Sequence, residues 1–305
     1  MFQITPRSLG FTGLVAAGAI LFSTAIPARA ADWPKGHELA EAGTSPDGHY
    51  GILIPGADAP ARPDDAEATN FLVDVKAQQV LGKIAKSNYE KDGRRMGLHV
   101  DWSPDSKICV VLYEARFGYH SVSALLPAGG KFQQYDLGTK VAQALGRAMN
   151  GKKDEEAGVP EFLSRFGGGT KILVRGAAND DPKQMRERSE SAFFTGIFDA
   201  ATGTWSKTAA HQVDQATYDS FAEGYGPLQT DWKDFDAQSK AENLDRFLNA
   251  VYRVLKANLP AEKFAAVKKE QVAWLKERDA LKDPERQSAF VIARIKALKE
   301  LAWQE

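Results

Sequence analysis

The sequence predicts an α+β protein: an antiparallel β-meander, partial-propeller or sandwich-like, followed by a C-terminal three-helix module. Three observations carry that expectation. Between about residues 45 and 208 the apolar residues fall in short β-branched or aromatic runs, broken by Gly, Pro, Asn and Asp, the grammar of strands joined by tight turns. After Tyr218 the apolar spacing changes to a helical repeat. The charge balance also changes sign: residues 31–239 hold 23 basic against 30 acidic residues, whereas residues 240–305 hold 14 against 10.

Residues 1–30 combine an early Arg7, an apolar run and the small-x-small ending Ala28-Arg29-Ala30, which reads as a secretory signal cut before Ala31. An uncleaved anchor is the alternative, and Pro27 with the Ala-x-Ala ending weighs against it. The expected organisation is a signal peptide at 1–30, an acidic β-rich module at 31–215 and a helical module at 216–305. A periplasmic or secreted location follows, with no membrane span after cleavage. The one cysteine, Cys109, sits in the apolar run KICVVLY and reads as a buried, inert thiol. With no internal disulfide to brace it, an exported chain of this length must be held by its own cores.

Three β units can be made out. They are SPDGHYGILIPG with TNFLVDVKAQQVLGKI, then DWSPDSKICVVLYEARFGYHSVSALLPAGGKFQQYDL, then GGTKILVRGA with SAFFTGIFDAATGTWSKT. In SPDG and SPDS, Pro46 and Pro104 preset φ, Asp47 and Asp105 reach nearby backbone amides, and Gly48 accepts the left-handed region. These turns and the hairpin at 199–205 resemble the blades of WD-repeat and Tol-B-type propellers. Three units, separated by insertions at 56–69, 138–168 and 177–190, are fewer than a closed ring of four to eight blades needs. Within the second insertion, TKVAQALGRAMN has helical spacing at Val141, Ala144, Leu145 and Met149.

The helical module starts with AENLDRFLNAVYRVLKANL, whose Leu244, Leu248, Val251, Tyr252, Leu255 and Leu259 define one apolar face; Pro260 ends it. A second helix runs from about Ala261 to Leu281, burying Phe264, Val267, Trp274 and Leu281. Asp283-Pro284 caps a third, which buries Val291, Ile295 and Leu298. On the second helix Gln271 and Arg278 share the face of Trp274, so two polar groups point where the core should be. Folding the first two helices back at Pro260 opposes residues whose numbers sum to roughly 520, an antiparallel pairing. That places Asn249 against Gln271 and Arg278 near Glu242 and Asp245, with Tyr252 on the same flank, a ladder that would set register.

Residues 244–298 are similar to the lysozyme-inhibitor LprI family. The residues that carry the resemblance are Asp245, Leu248, Asn249, Tyr252, Leu255, Gln271, Trp274, Arg278, Asp279 and Arg294. Family members usually have cysteines flanking this motif, whereas this chain has Ala280-Leu281-Lys282 after Arg278-Asp279. The resemblance implies a periplasmic or surface interaction protein, with an envelope protein as partner and lysozyme inhibition as the activity of some members. It marks Asp245, Asn249, Tyr252, Gln271, Trp274, Arg278, Asp279 and Arg294 as the structural or binding motif. Lysozymes are cationic, so the acidic β-rich module is the better docking surface for one.

Other chemistry is not indicated. There is no Gly-x-Ser-x-Gly, His-Glu-x-x-His, Cys-x-x-Cys or phosphate loop, and Gly167-Gly168-Gly169-Thr170-Lys171 reads as a turn before a strand. His37, His49, His99, His120 and His211 are scattered, with only His99 and His120 placed to meet across strands. Neither module is basic enough to bind nucleic acid. Trp102, Tyr113, Phe117 and Tyr119 read as core and edge aromatics. The expectation is a non-enzyme with no catalytic residues, cofactor or metal. The alternative is a small-ligand or cell-wall glycan binding protein using a cleft in the β-rich module.

Overall fold

The structure, a computed structural model, describes residues 33–59, 69–87, 89, 97–115, 118–150, 160–181, 189–228, 232 and 235–304. The expected signal at 1–30 and Phe117 lie outside these. Three four-stranded antiparallel sheets follow one another along the chain. The first holds β1 (His37–Leu39), β2 (Tyr50–Pro55), β3 (Phe71–Asp74) and β4 (Gln79–Lys83). The second holds β5 (Gly97–Trp102), β6 (Cys109–Ala115), β7 (Gly118–Ala128) and β8 (Lys131–Asp136). After helix α1 (Gly138–Asn150) comes the third, with β9 (Pro160–Phe166), β10 (Lys171–Asn179), β11 (Ser191–Asp199) and β12 (Thr204–Val213). Each sheet is a meander in which neighbours in sequence pair in space, so the three units read from the turns are three propeller-like blades.

The blades stack face to face, and the strand alternation shows how. Along β6, Cys109, Val111 and Tyr113 join a core shared with Ile52 and Leu72 of the first sheet. The intervening Val110 turns the other way, into a core with Val141 and Leu145 of α1 and Ile172 and Val174 of β10. Both faces of β6 are therefore buried, which explains its unbroken apolar run. The same division recurs in β10: Ile172, Val174 and Ala178 face the second sheet and α1, while Leu173 and Ala177 face the helices that follow. Cys109 is free and fully buried, and burial pushes its thiol pKa well up, as an inert core thiol requires.

The two SPD turns are built alike. Ser45 Oγ donates to Asp47 Oδ1 and Ser103 Oγ to Asp105 Oδ1, each at 2.7 Å, while each serine oxygen accepts amides from the strand that follows. The fourth turn position is left-handed in both, Gly48 at φ 67° and Ser106 at φ 61°. A serine is held there because its Oγ accepts the Asp47 amide at 3.1 Å, joining the first turn to the second. Two strands were not anticipated. β1 precedes the first turn, and β9 falls in what the sequence presents as an insertion at 138–168; both are first strands at a sheet edge. The helix expected within that stretch is α1.

The chain then turns helical through α2 (Gln215–Tyr218) and α3 (Phe221–Tyr225) into α4 (Ala237–Asn258), α5 (Ala261–Ala280) and α6 (Pro284–Ala302). Pro260 separates α4 from α5, and Asp283 Oδ1 accepts the amides of Glu285 and Arg286 to cap α6. The backbones of α4 and α6 lie closest together, while α5 stands off both on long side chains such as Phe264, Trp274 and Arg278. No helix among the described residues is long and apolar enough to cross a membrane.

Helix α1 approaches the third sheet closely at Gly176, where a Cβ would fall 2.5 Å from Val141 Cγ1. Gly176→Val should therefore destabilise the protein by about 1–3 kcal/mol through overpacking, measured by urea unfolding.

Candidate functional site

The motif of the helical segment resolves into two polar clusters around one aromatic stack. Trp274 lies parallel to Phe290 of α6, ring centroids 5.3 Å apart, and the Arg278 guanidinium sits 5.7 Å from the Trp274 ring centre. Arg278 Nη1 donates to Asp245 Oδ1 at 3.2 Å and its Nε to Asp279 Oδ1 at 2.9 Å. At the other end Arg294 Nε donates to Gln271 Oε1 at 2.9 Å, and Arg294 Nη1 lies 3.8 Å from Glu270. Six of the eight motif residues thus meet, and Tyr252 packs apart from them on Phe264, centroids 5.1 Å apart.

Asn249 does not join. It is exposed, and Gln271 takes its partner from α6 instead of α4, which corrects the expected amide-to-amide ladder. The cause is geometric. Because α5 stands off α4 and faces α6 equally, its inner polar row meets Arg294. Leu248, Val251 and Leu255 turn inward at helical spacing, and Asn249, one position on from Leu248, rotates out of that stripe. The other half of the expectation holds, since Arg278 does bond Asp245.

A second feature lies among the sheets. A cleft of about 530 Å³ opens where β5 and β9, the first strands of the second and third sheets, approach the loop after β1; α3 closes the remaining side. First strands converging on one space is how propeller blades line a central channel. The walls are apolar through Leu98, Leu112, Phe162 and Phe221, and they carry Glu41, Asp101, Glu114 and Glu161. Tyr218 Oη donates to Glu161 at 3.0 Å, and His99 Nε2 lies 2.9 Å from Glu114, which settles this histidine's partner. β6 lies between β5 and β7, so His99 and His120 are not cross-strand neighbours. Partial removal from water pushes up the pKa of Asp101 and, more than its Tyr218 bond and with Asp219 adding to it, that of Glu161. No group of three or more His, Cys, Asp or Glu among the described residues is placed to hold a metal.

The third sheet and the helices meet around two buried cations. Arg175 of β10 lies 5.0 Å from the Trp303 ring centre and 5.7 Å from that of Tyr225, and its Nη2 donates to Ala302 O at 3.2 Å. Lys299 of α6 donates through Nζ to Glu223 O at 2.5 Å and Gly226 O at 2.6 Å, closing the C-terminal end of α3. Burial lowers its pKa to about 8, against a smaller opposing pull from Glu223. Neither was singled out from sequence. For Arg175 a signal existed: it is the one charge inside the run ILVRGAA. Lys299 follows Ile295 and Leu298 on the inner face of α6, where a lysine is unexpected.

A family model described as Lysozyme inhibitor LprI matches residues 233–301, which hold α4, α5 and nearly all of α6. The family likeness read from the motif is thus found over the helical segment. No curated protein matches the chain.

Two stability predictions follow from these partners. Gln271 is buried at 8 % exposure, so Gln271→Leu, which removes the acceptor of Arg294 Nε and leaves the guanidinium only the more distant Glu270, should cost about 1–3 kcal/mol. Arg278→Met should cost less, under about 1 kcal/mol, because the side chains of Asp245 and Asp279 remain 58 % and 63 % exposed and hydrated. Denaturant titration of the full chain ranks the two. Lys299 gives a pH signature. The folded protein releases this proton near pH 8 and the unfolded chain near 10.5, so the cost of the buried charge is complete below pH 8 and is relieved as pH rises through that window. Relative to Lys299→Met, the wild type should gain up to about 3 kcal/mol between those pH values, read from unfolding midpoints.

Proposed function

We propose that the protein is an exported interaction protein of the periplasm or cell exterior, lysozyme inhibitor-like and without catalytic activity. The match of residues 233–301 to the LprI family is the observation that carries the reading. Its motif side chains hold the helices together: Gln271, Trp274, Arg278 and Arg294 are turned inward, and Asp245, Asn249 and Asp279 are the exposed members open to a partner. The helical module at 216–305 then serves as a scaffold joined to the acidic β-rich module at 31–215. The excess of acidic residues in residues 31–239, together with the four carboxylates around the cleft, supports the β-rich module as the surface that meets a cationic protein.

The test is a lysis assay with purified protein beginning at Ala31, hen egg-white lysozyme and a cell-wall suspension. Lysis should slow in proportion to added protein, and should recover as salt screens the contact. Undiminished lysis at a molar excess would remove the inhibitory reading.

A further inference from the structure

Among the described residues the cleft between the sheets carries an excess of negative charge. Glu41, Asp101, Glu114 and Glu161 line it, and no described lysine or arginine does. Glu161 is satisfied by the Tyr218 hydroxyl and Glu114 by His99. Asp101 and Glu41 have no hydrogen bond or ion pair among the described residues. Some carboxylates elsewhere are paired with cations, as Asp136 is with Lys86 and Glu300 with Arg165. Here Glu41, Asp101 and Glu114 are exposed and Glu161 is half-buried, and Leu98, Leu112, Phe162 and Phe221 add apolar surface that lowers the local dielectric around them. A concavity of about 530 Å³ is of the size that holds small ligands. Its apolar walls match a hydrocarbon body and its carboxylates match a positive head.

We propose that this cleft binds an organic cation, a primary ammonium or guanidinium group carried on an apolar stem, with Asp101 and Glu161 as the charge partners and Phe162 and Phe221 against the stem. The inference shares the cleft's carboxylates with the inhibitor reading, but amine binding is expected here whether or not lysozyme is inhibited. It concerns the β sheets and α3, not the matched helical segment. A free amine and the basic side chain of a protein partner present the same chemistry, and the experiment separates them.

The mature chain is titrated by calorimetry at low salt with 2-phenylethylamine, with 2-phenylethanol as the neutral counterpart and chitotriose as a neutral glycan. Saturable binding of the amine is expected, with the alcohol at least about tenfold weaker, as loss of the ion pair requires. The variant Asp101→Asn/Glu161→Gln should lose about tenfold or more in amine affinity while keeping the wild-type melting curve. Asp101→Asn alone should lose a smaller factor, and serves if the double variant does not fold. Glu285→Gln, at the start of α6 and away from the cleft, should bind as wild type. Absence of saturable amine binding, equal binding of the alcohol, preference for chitotriose, or full affinity in the folded Asp101 variants would each overturn the proposal. Where the amine binds, displacement by added lysozyme assigns the cation to a protein side chain, and its persistence assigns it to a free amine.

Discussion

The constraint on which the rest depends is that every sheet face in a stack must be covered. Three four-stranded sheets packed face to face bury the inner faces against one another and leave a terminal face of the third. In a closed propeller the next blade would cover it. Here Leu173, Ala177 and Phe193 of that face pack against Phe221 and Tyr225 of α3, Val254 of α4 and Trp303 beyond α6. The helices stand where a further blade would be. Burial of these aromatics supplies the main attraction, since each large ring removes on the order of 150–250 Å² from water.

That substitution explains the two buried cations. A helix packed on a sheet brings its terminal carbonyls into a dry junction, where they need donors. Lys299 reaches the end of α3, and Arg175 reaches Ala302 near the end of α6 while stacking beside Trp303. Each charge is costly to bury, which is why the Lys299 pKa falls, and each is retained by carbonyl oxygens and ring faces instead of by a carboxylate. The junction is thus both apolar and register-specific. Sliding the helices along the sheet would strand both cations.

The same geometry creates the cleft. Because α3 covers the third sheet at one end only, it closes one side of the space between the first strands without filling it. β5 and β9 therefore line an opening on one flank, and their polar residues, Asp101, Glu161 and Ser164, are placed where a core strand could not hold them. In the helical segment that the LprI family model matches, the packing centres on an aromatic stack bracketed by Arg278 with Asp245 and by Arg294 with Gln271. The chain's one cysteine, Cys109, is buried among the sheets, so the three helices are held by these side-chain contacts and by the junction with the sheet.

Sequence alone determined the parts whose cause is local. Turn chemistry placed Ser45 to Gly48 and Ser103 to Ser106, helical spacing placed α1 and α4 to α6, and the spacing of rare residue types pointed to the family whose model matches residues 233–301. The first strands β1 and β9 were not legible, because they lie at sheet edges where apolar alternation weakens and, for β9, a cleft replaces core on one flank. Nor was the partner of Gln271, since one helix pair fixes which residues face each other only until a third helix arrives and offers Arg294. The acidic cleft depended on tertiary structure entirely: its carboxylates come from positions 41, 101, 114 and 161, and only the stacking of sheets under α3 brings them to one space.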